Sequence, residues 1–346
     1  MEDKIRVLVV DDSLLMRKII TDNINSDPAL EVIDKAKNGK EAMEKIFSLK
    51  PDVVTLDINL PLLDGISVLE EVMKRLPTRI IMLSAYTRQG TSATMRALEL
   101  GAIDFITKPS GEISLDIYKL KDEIVSKIKL AAKVEPGKFG PIKMSYPPSQ
   151  AAETIKKLVI IGASTGGPKA VLDIMRNIPS GLPAAFLIVQ HMPKGFTLSF
   201  AERISWQGAI KAKEAEDGDV VMADKCFVAP AGYHLILEKN SDGLRLRLNQ
   251  KPFVNFVRPS IDVTMDSAVE IFGKNTIGVI LSGMGKDGLE GCRKIKEWQG
   301  AVIVQNEETS AIWGMPKMVY MANLADKVLP LSQIAEALSR EIKSRR

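Results

Sequence analysis

Leu158-Val159-Ile160-Ile161-Gly162-Ala163-Ser164-Thr165-Gly166-Gly167-Pro168 runs from an apolar stretch into a cluster of small residues. Four consecutive apolar side chains predict a strand buried on both faces, since a strand with one wet face would alternate. The small residues predict a tight turn into a helix, with Pro168 in its first turn, where a missing N–H costs nothing. Ser164 then sits at the carboxyl edge of a sheet. Open α/β sheets bind ligands outside that edge, where helix N-termini point, so Ser164 is a candidate nucleophile. The competing expectation is that Ser164 or Thr165 only caps the next helix.

Downstream, strands are predicted at 157–162, 184–190, 225–229, 276–281 and 301–305. Helices are predicted at 168–178, 197–206, 260–272, 288–298 and 331–344. Segments 233–238 and 244–249, joined by Asn240-Ser241-Asp242-Gly243, predict a β-hairpin. This pattern is an α/β domain with a hairpin. The chain holds two histidines. His191 follows the strand 184–190, so it meets Ser164 at one sheet edge if the two strands are parallel neighbours. His234 lies inside a hairpin strand, where a structural or surface role is expected. The strand TIGVILSG leads into Ser282-Gly283-Met284-Gly285-Lys286-Asp287-Gly288. Asp287 there is either an N-cap, in a capping box with Glu290, or the acid that orients a histidine base. A serine, a histidine and an aspartate would each end a different strand.

Two rival readings of the glycine-rich turn lose ground. Residues 162–166 satisfy G-x-S-x-G, but α/β-hydrolases run serine, acid, histidine along the chain, and here the order is serine, histidine, aspartate. A dinucleotide or methyl-donor site calls for G-x-G-x-x-G, and Gln190-His191 stands where a ribose-binding carboxylate is expected.

The first part of the chain alternates strictly. Strands at 4–10, 30–36, 52–57, 79–84 and 102–106 are followed by helices at 13–25, 39–49, 65–75, 90–99 and 113–132, a doubly wound parallel sheet. Asp11 and Asp12 close the first strand, Asp57 the third and Ser84 the fourth; Lys108 follows the fifth. Three carboxylates at one sheet edge repel one another unless a cation holds them, and hard oxygen ligands suit Mg²⁺.

Residues 133–154 hold four prolines and no periodicity, the composition of a linker. The expected domains are therefore 1–132, a linker 133–154, and 155–346. At 346 residues two domains are expected on length alone. Cys226 and Cys292 have no metal-ligand spacing, so buried free thiols are expected. A net charge of +4 without a dense basic stripe argues against nucleic acid. No signal peptide or spanning run is present in the sequence, so a cytoplasmic protein without membrane insertion is expected.

Asp11, Asp12, Asp57, Ser84 and Lys108 together resemble the site of a response-regulator receiver domain. That resemblance implies a flavodoxin-like fold with strand order 2-1-3-4-5. It also implies Asp57 as phospho-acceptor, Asp11, Asp12 and Asp57 at the Mg²⁺, Ser84 as switch hydroxyl in place of the threonine often found there, Lys108 as phosphate partner, and Phe105 as the aromatic switch residue. A receiver and linker followed by GASTGG, QHMP, VAPAGYH and LSGMGKDG resemble the chemotaxis protein-glutamate methylesterases of the CheB family over essentially the whole chain. The resemblance implies a triad of Ser164, His191 and Asp287 that needs no cofactor, with the backbone amide of Met284 in the oxyanion site. The implied substrates are methylated glutamates on cytoplasmic helices of chemoreceptors. A chemotaxis histidine kinase is the implied phosphodonor, glutamine deamidation a second activity, and packing of the unphosphorylated receiver over the crevice the implied control. A transcriptional output domain fits poorly, because such domains are short, helical and basic. A receiver-controlled deamidase and a non-catalytic receptor-binding module remain as alternatives.

Overall fold

The computed structural model describes residues 4–85, 87–108, 116–135, 154–241 and 243–344. Most of the expected linker, 136–153, and Asp242 of the hairpin turn lie outside the described residues. The chain divides into two compact units, 1–140 and 141–346.

The first unit runs β1 (Ile5–Val10), α1 (Leu14–Asn25), β2 (Leu30–Ala36), α2 (Gly39–Leu49), β3 (Val53–Asp57), α3 (Gly65–Arg75), β4 (Arg79–Ser84), α4 (Arg88–Leu100), β5 (Asp104–Thr107) and α5 (Asp116–Ala131). The strands form one sheet in the order β2-β1-β3-β4-β5, every pair parallel, as the alternation predicts. Ser13 caps α1 by accepting the Met16 N–H. Gly65 opens α3 so close to the end of β3 that a Cβ would meet Asp57 O at 2.0 Å. That contact fixes the helix over the strand end that carries Asp57.

The second unit runs β6 (Lys157–Ala163), α6 (Gly167–Arg176), β7 (Ala184–Gln190), α7 (Phe196–Gln207), β8 (Lys211–Glu214), β9 (Lys225–Val228), β10 (His234–Asn240), β11 (Gly243–Asn249), α8 (Ile261–Phe272), β12 (Thr276–Ile280), α9 (Leu289–Glu297), β13 (Ala301–Gln305), α10 (Met315–Met321), β14 (Lys327–Leu329) and α11 (Leu331–Lys343). Seven strands pair in parallel in the order β14-β13-β12-β6-β7-β9-β8, and β10 and β11 form the antiparallel hairpin. From β6 the chain moves outward through β7 to the edge strand β8, steps back to β9 between them, and after the hairpin returns to β12 on the other side of β6. The strand order therefore reverses beside the carboxyl end of β6, where such sheets open a crevice. β6 and β7 are buried along their whole length, which is why they are continuous apolar runs. The hairpin packs on α8, and Leu235, Leu237 and Leu246 enter the core with Phe227 and Met265.

Three elements were not expected from the sequence: β8, β14 and α10. β8 is Lys-Ala-Lys-Glu, a half-exposed edge strand, β14 has three residues, and α10 seven. None is long enough to show a period. Among the described residues no helix is long and apolar enough to cross a membrane. Both cysteines are buried and free, and burial pushes both thiols up.

Candidate active site and receiver site

In the second unit β6 and β7 pair with Ala163 opposite Gln190, so Ser164 and His191 are the next residues along neighbouring strands. The His191 N–H donates to Ala163 O at 3.0 Å. On the other side β12 pairs with β6, and the Ser164 N–H donates to Ser282 O at 3.0 Å. Ser164 thus sits in the crevice between two strand ends. Gly283 must be glycine here: a Cβ would lie 2.7 Å from Ser164 Cβ and 2.6 Å from Met315 Sδ. The expected cap role for Ser164 or Thr165 is not observed. The N-cap of α6 is Gly166, in the left-handed conformation at φ 75° and without a side-chain cap.

His191 Nε2 lies 2.8 Å from Asp287 Oδ2. Asp287 Oδ2 is an acceptor, so Nε2 carries the proton in that bond and Nδ1 is the nitrogen left to act as a base. Among the described residues the Ser164 hydroxyl makes no hydrogen bond, and apo sites are commonly loose in this way. Gln190, wholly buried, donates through Nε2 to both Ser164 O and His191 O at 2.9 Å, tying together the backbones of the two residues.

Asp287 does not cap its own helix; α9 begins at a bare Gly288 N-cap. Its carboxylate sits instead at the N-terminus of α8, accepting the Ile261 N–H at 2.7 Å, the Asp262 N–H at 3.3 Å and the Ser260 hydroxyl at 2.7 Å. Asn255 Nδ2 donates to the same Oδ1 at 3.2 Å. Burial pushes Asp287 up, but the bond and charge of His191, with the Ile261 amide and the Ser260 hydroxyl, outweigh it and hold the carboxyl below its usual range. It stays anionic beside the imidazole. Burial raises the neighbouring Asp262 to about 6, and the charge of Asp287 adds to the rise.

Asn255, Ser260 and Asp262 were not anticipated from the sequence: Asn255 reaches the site from a loop, and Ser260 and Asp262 from the N-cap and first turn of α8, distant in sequence from Asp287. Val254 and Val257 exchange backbone bonds, Val254 N–H to Val257 O at 3.3 Å and Val257 N–H to Val254 O at 3.0 Å. Asn255 and Phe256 between them are both left-handed, at φ 52° and 63°, the geometry of a type I′ turn. His234 is buried under this loop. Its Nε2 lies 3.0 Å from Pro252 O, and its Nδ1 accepts the Ser260 N–H at 3.2 Å, which fixes the ring as neutral. The structural role expected of His234 is thus the clamping of both ends of the turn segment. Met284, expected in the oxyanion site, is 58% exposed, and among the described residues its N–H makes no hydrogen bond.

In the first unit, Asp11, Asp12 and Asp57 present oxygens within 4.8 Å of one another at the carboxyl edge. Lys108 Nζ reaches Asp11 Oδ2 at 2.7 Å and Asp57 Oδ2 at 2.6 Å. Burial raises Asp57 against the pull of Lys108, and the charge of Asp11 adds to the rise. Burial lowers Lys108, but the two carboxylates outweigh it and raise its pKa. Ser84 is buried and faces α4: Thr94 Oγ1 donates to Ser84 Oγ at 2.7 Å, and Ser84 Oγ to Gly90 O at 3.2 Å. Phe105 is turned into the core, with Lys127 Nζ 5.2 Å from its ring centre.

Comparison with known proteins agrees with this geometry. Residues 159–338 match the family model of the CheB methylesterase, and residues 7–117 that of the response regulator receiver domain. The first match alone spans more than half of the chain. The chain belongs to the CheB methylesterase family. A protein-glutamate methylesterase/protein-glutamine glutaminase of Pyrococcus abyssi is 46% identical over 98% of this chain and 94% of its own length. One from Thermotoga maritima is 45% identical over 96% and 97%. The crystal structure of the Thermotoga maritima CheB methylesterase catalytic domain superposes with a TM-score of 0.52 at 43% identity, over 53% of this chain and 97% of that one.

Proposed function

We propose that this CheB-family chain is a protein-glutamate methylesterase and protein-glutamine glutaminase of chemoreceptors, controlled by phosphorylation of its receiver. Ser164, His191 and Asp287 are its catalytic triad. The observation that carries the reading is the 2.8 Å hydrogen bond between the buried Asp287 and the half-buried His191, at the sheet edge where Ser164 also lies. In this reading His191 Nδ1 takes the proton of Ser164 as Oγ attacks the ester carbonyl of a glutamate methyl ester. Anionic Asp287 stabilises the imidazolium, and the Met284 N–H donates to the tetrahedral oxyanion. His191 then returns the proton to the methoxide, which leaves as methanol. Water, deprotonated by the same nitrogen, hydrolyses the acyl-enzyme and releases glutamate. A glutamine side chain follows the same course with ammonia as the leaving group.

Asp57 is the nucleophile of the receiver: a carboxylate oxygen attacks the phosphorus of a phosphodonor, in the cell the phosphohistidine of a chemotaxis histidine kinase, the P–N bond breaks, the imidazole leaves and an acyl phosphate forms. Lys108 offsets charge on the transferring oxygens, and Ser84 turns from α4 to donate to the phosphoryl group. Three hard carboxylates, two of them buried and sharing one ammonium, fit a Mg²⁺ held by Asp11, Asp12 and Asp57. The ion would supply the charge neutralisation that Lys108 alone does not. The chain acts in the cytoplasm, on the cytoplasmic helices of the receptors.

The test is methanol release from methylated receptor cytoplasmic fragments, with and without Mg²⁺ and a small phosphodonor. Release should rise with the phosphodonor and fall roughly 1,000-fold or more in Ser164→Ala. No methanol from wild type, with ammonia from glutamine-bearing fragments, would leave the deamidase alone. Neither product would reduce the second unit to a receptor-binding module.

A further inference from the structure

The acid of the proposed triad is unusually well held, and one of its holders lies on a costly turn. Oδ1 of Asp287 receives Asn255 Nδ2, the Ser260 hydroxyl and the Asp262 N–H, while Oδ2 receives His191 and the Ile261 N–H. Asn255 does more than add a donor. The same Nδ2 also donates to Asp262 Oδ2 at 2.8 Å, so one neutral amide stands between the buried carboxylate of Asp287 and the half-buried one of Asp262. Asp262 Oδ1 is occupied by the Gly291 N–H at 2.8 Å. Without the amide, Asp262 Oδ2 would lose its donor, and two like charges would face each other across a site sheltered from water.

The turn that delivers Asn255 is built against local preference. A type I′ turn favours asparagine then glycine; here phenylalanine takes the second left-handed position, with its ring 99% exposed. An exposed ring contributes nothing to hold this backbone. What holds it is the Val254–Val257 bond pair, His234 at both ends of the segment, and Arg258, whose Nη1 donates to Gln250 O and Lys251 O at 2.8 and 2.9 Å. The segment is fixed at its base, and its tip reaches the triad acid.

We infer that Asn255, on the His234-clamped turn, is a positioning residue for the reaction: it orients the Asp287 carboxylate toward His191 by bridging it to Asp262. Ser260 acts on the same oxygen from the start of α8. The inference rests on the proposed function, because it needs Asp287 to be the acid of a working triad.

The test is a double-mutant cycle on the full-length chain, reading kcat and KM for methanol release from methylated receptor fragments. Asn255→Gly removes the amide and keeps the left-handed backbone at no steric cost. It should lower kcat about tenfold with KM within twofold. In an Asp287→Ala background the same substitution should cost nothing further, because a residue that acts through Asp287 has nothing left to act on. Ser260→Ala should repeat the pattern and provides a second variant if the first folds poorly. Equal losses in both backgrounds would make the turn a structural support and overturn the inference, as would an unchanged kcat in Asn255→Gly. A wild type without Ser164-dependent turnover would overturn the proposed function and this inference with it.

Discussion

Two buried carboxylates, Asp11 and Asp57, share the single ammonium of Lys108, an arrangement good for phosphoryl chemistry and poor for stability. The folded state raises the pKa of Asp57, so it binds that proton more tightly than the unfolded chain does. The stability linked to this proton is fully present below the unfolded pKa and is lost as pH rises through the folded one. At pH 7 without Mg²⁺, Asp57→Asn should therefore unfold roughly 2–5 °C higher than wild type, with the gain shrinking toward pH 4. Thermal melts at both pH values check this; a lower melting point at pH 7 would refute it. These residues were legible in the sequence because each ends a strand or follows one. Ser164, His191 and Asp287 were legible for the same reason. Asn255 was not, because nothing local marks the Asn-Phe pair within Pro252-Phe253-Val254-Asn255-Phe256-Val257 as a turn that reaches a site; its meaning comes from a carboxylate 32 positions away.

At the scale of elements, the long apolar strands and the helices after them were readable from period alone, while β8, β14 and α10 were too short to carry one. The cap readings of Ser164, Thr165 and Asp287 failed for a related reason, whereas Ser13 does cap its helix. A capping box reads three residues of one helix, but the Asp287 carboxylate serves the N-terminus of α8, which comes earlier in the chain. Helix α4 offers the experiment at this scale. Its Thr94 donates to the Ser84 hydroxyl at 2.7 Å, and Ser84 in turn donates to Gly90 O. A Ser84 hydroxyl that turns to a phosphoryl group on Asp57 must leave α4, at a cost of about 1 kcal/mol for a neutral hydrogen bond. Thr94→Val removes one of the two bonds between Ser84 and α4 before phosphorylation and leaves the donation to Gly90 O, so at a subsaturating phosphodonor the phosphorylated fraction should rise, by up to about fivefold in the equilibrium constant. Quantifying acyl phosphate against phosphodonor concentration decides it; equal curves would show that the tie does not oppose phosphorylation.

For the whole molecule, both units place their chemistry at the carboxyl edge of a parallel sheet. The strand order, which the resemblance supplied for the first unit, had to come from the structure for the second. The second sheet is open, and its two outermost strands have consequences beyond catalysis. β8 carries Lys211 and Lys213 on an exposed border, with Lys213 paired to Glu216 and Asp219, and β14 begins with Lys327. A bare strand border is a template on which another chain can add its own backbone bonds, and lysine there makes such addition costly. Lys211→Val with Lys213→Val should leave methanol release within twofold, yet cause the protein to scatter light at a lower temperature on slow heating. An unchanged onset of scattering would show that the border is guarded by something else. The charges that hide β8 from a search for apolar alternation thus also make the rim of the sheet a poor template for a second chain.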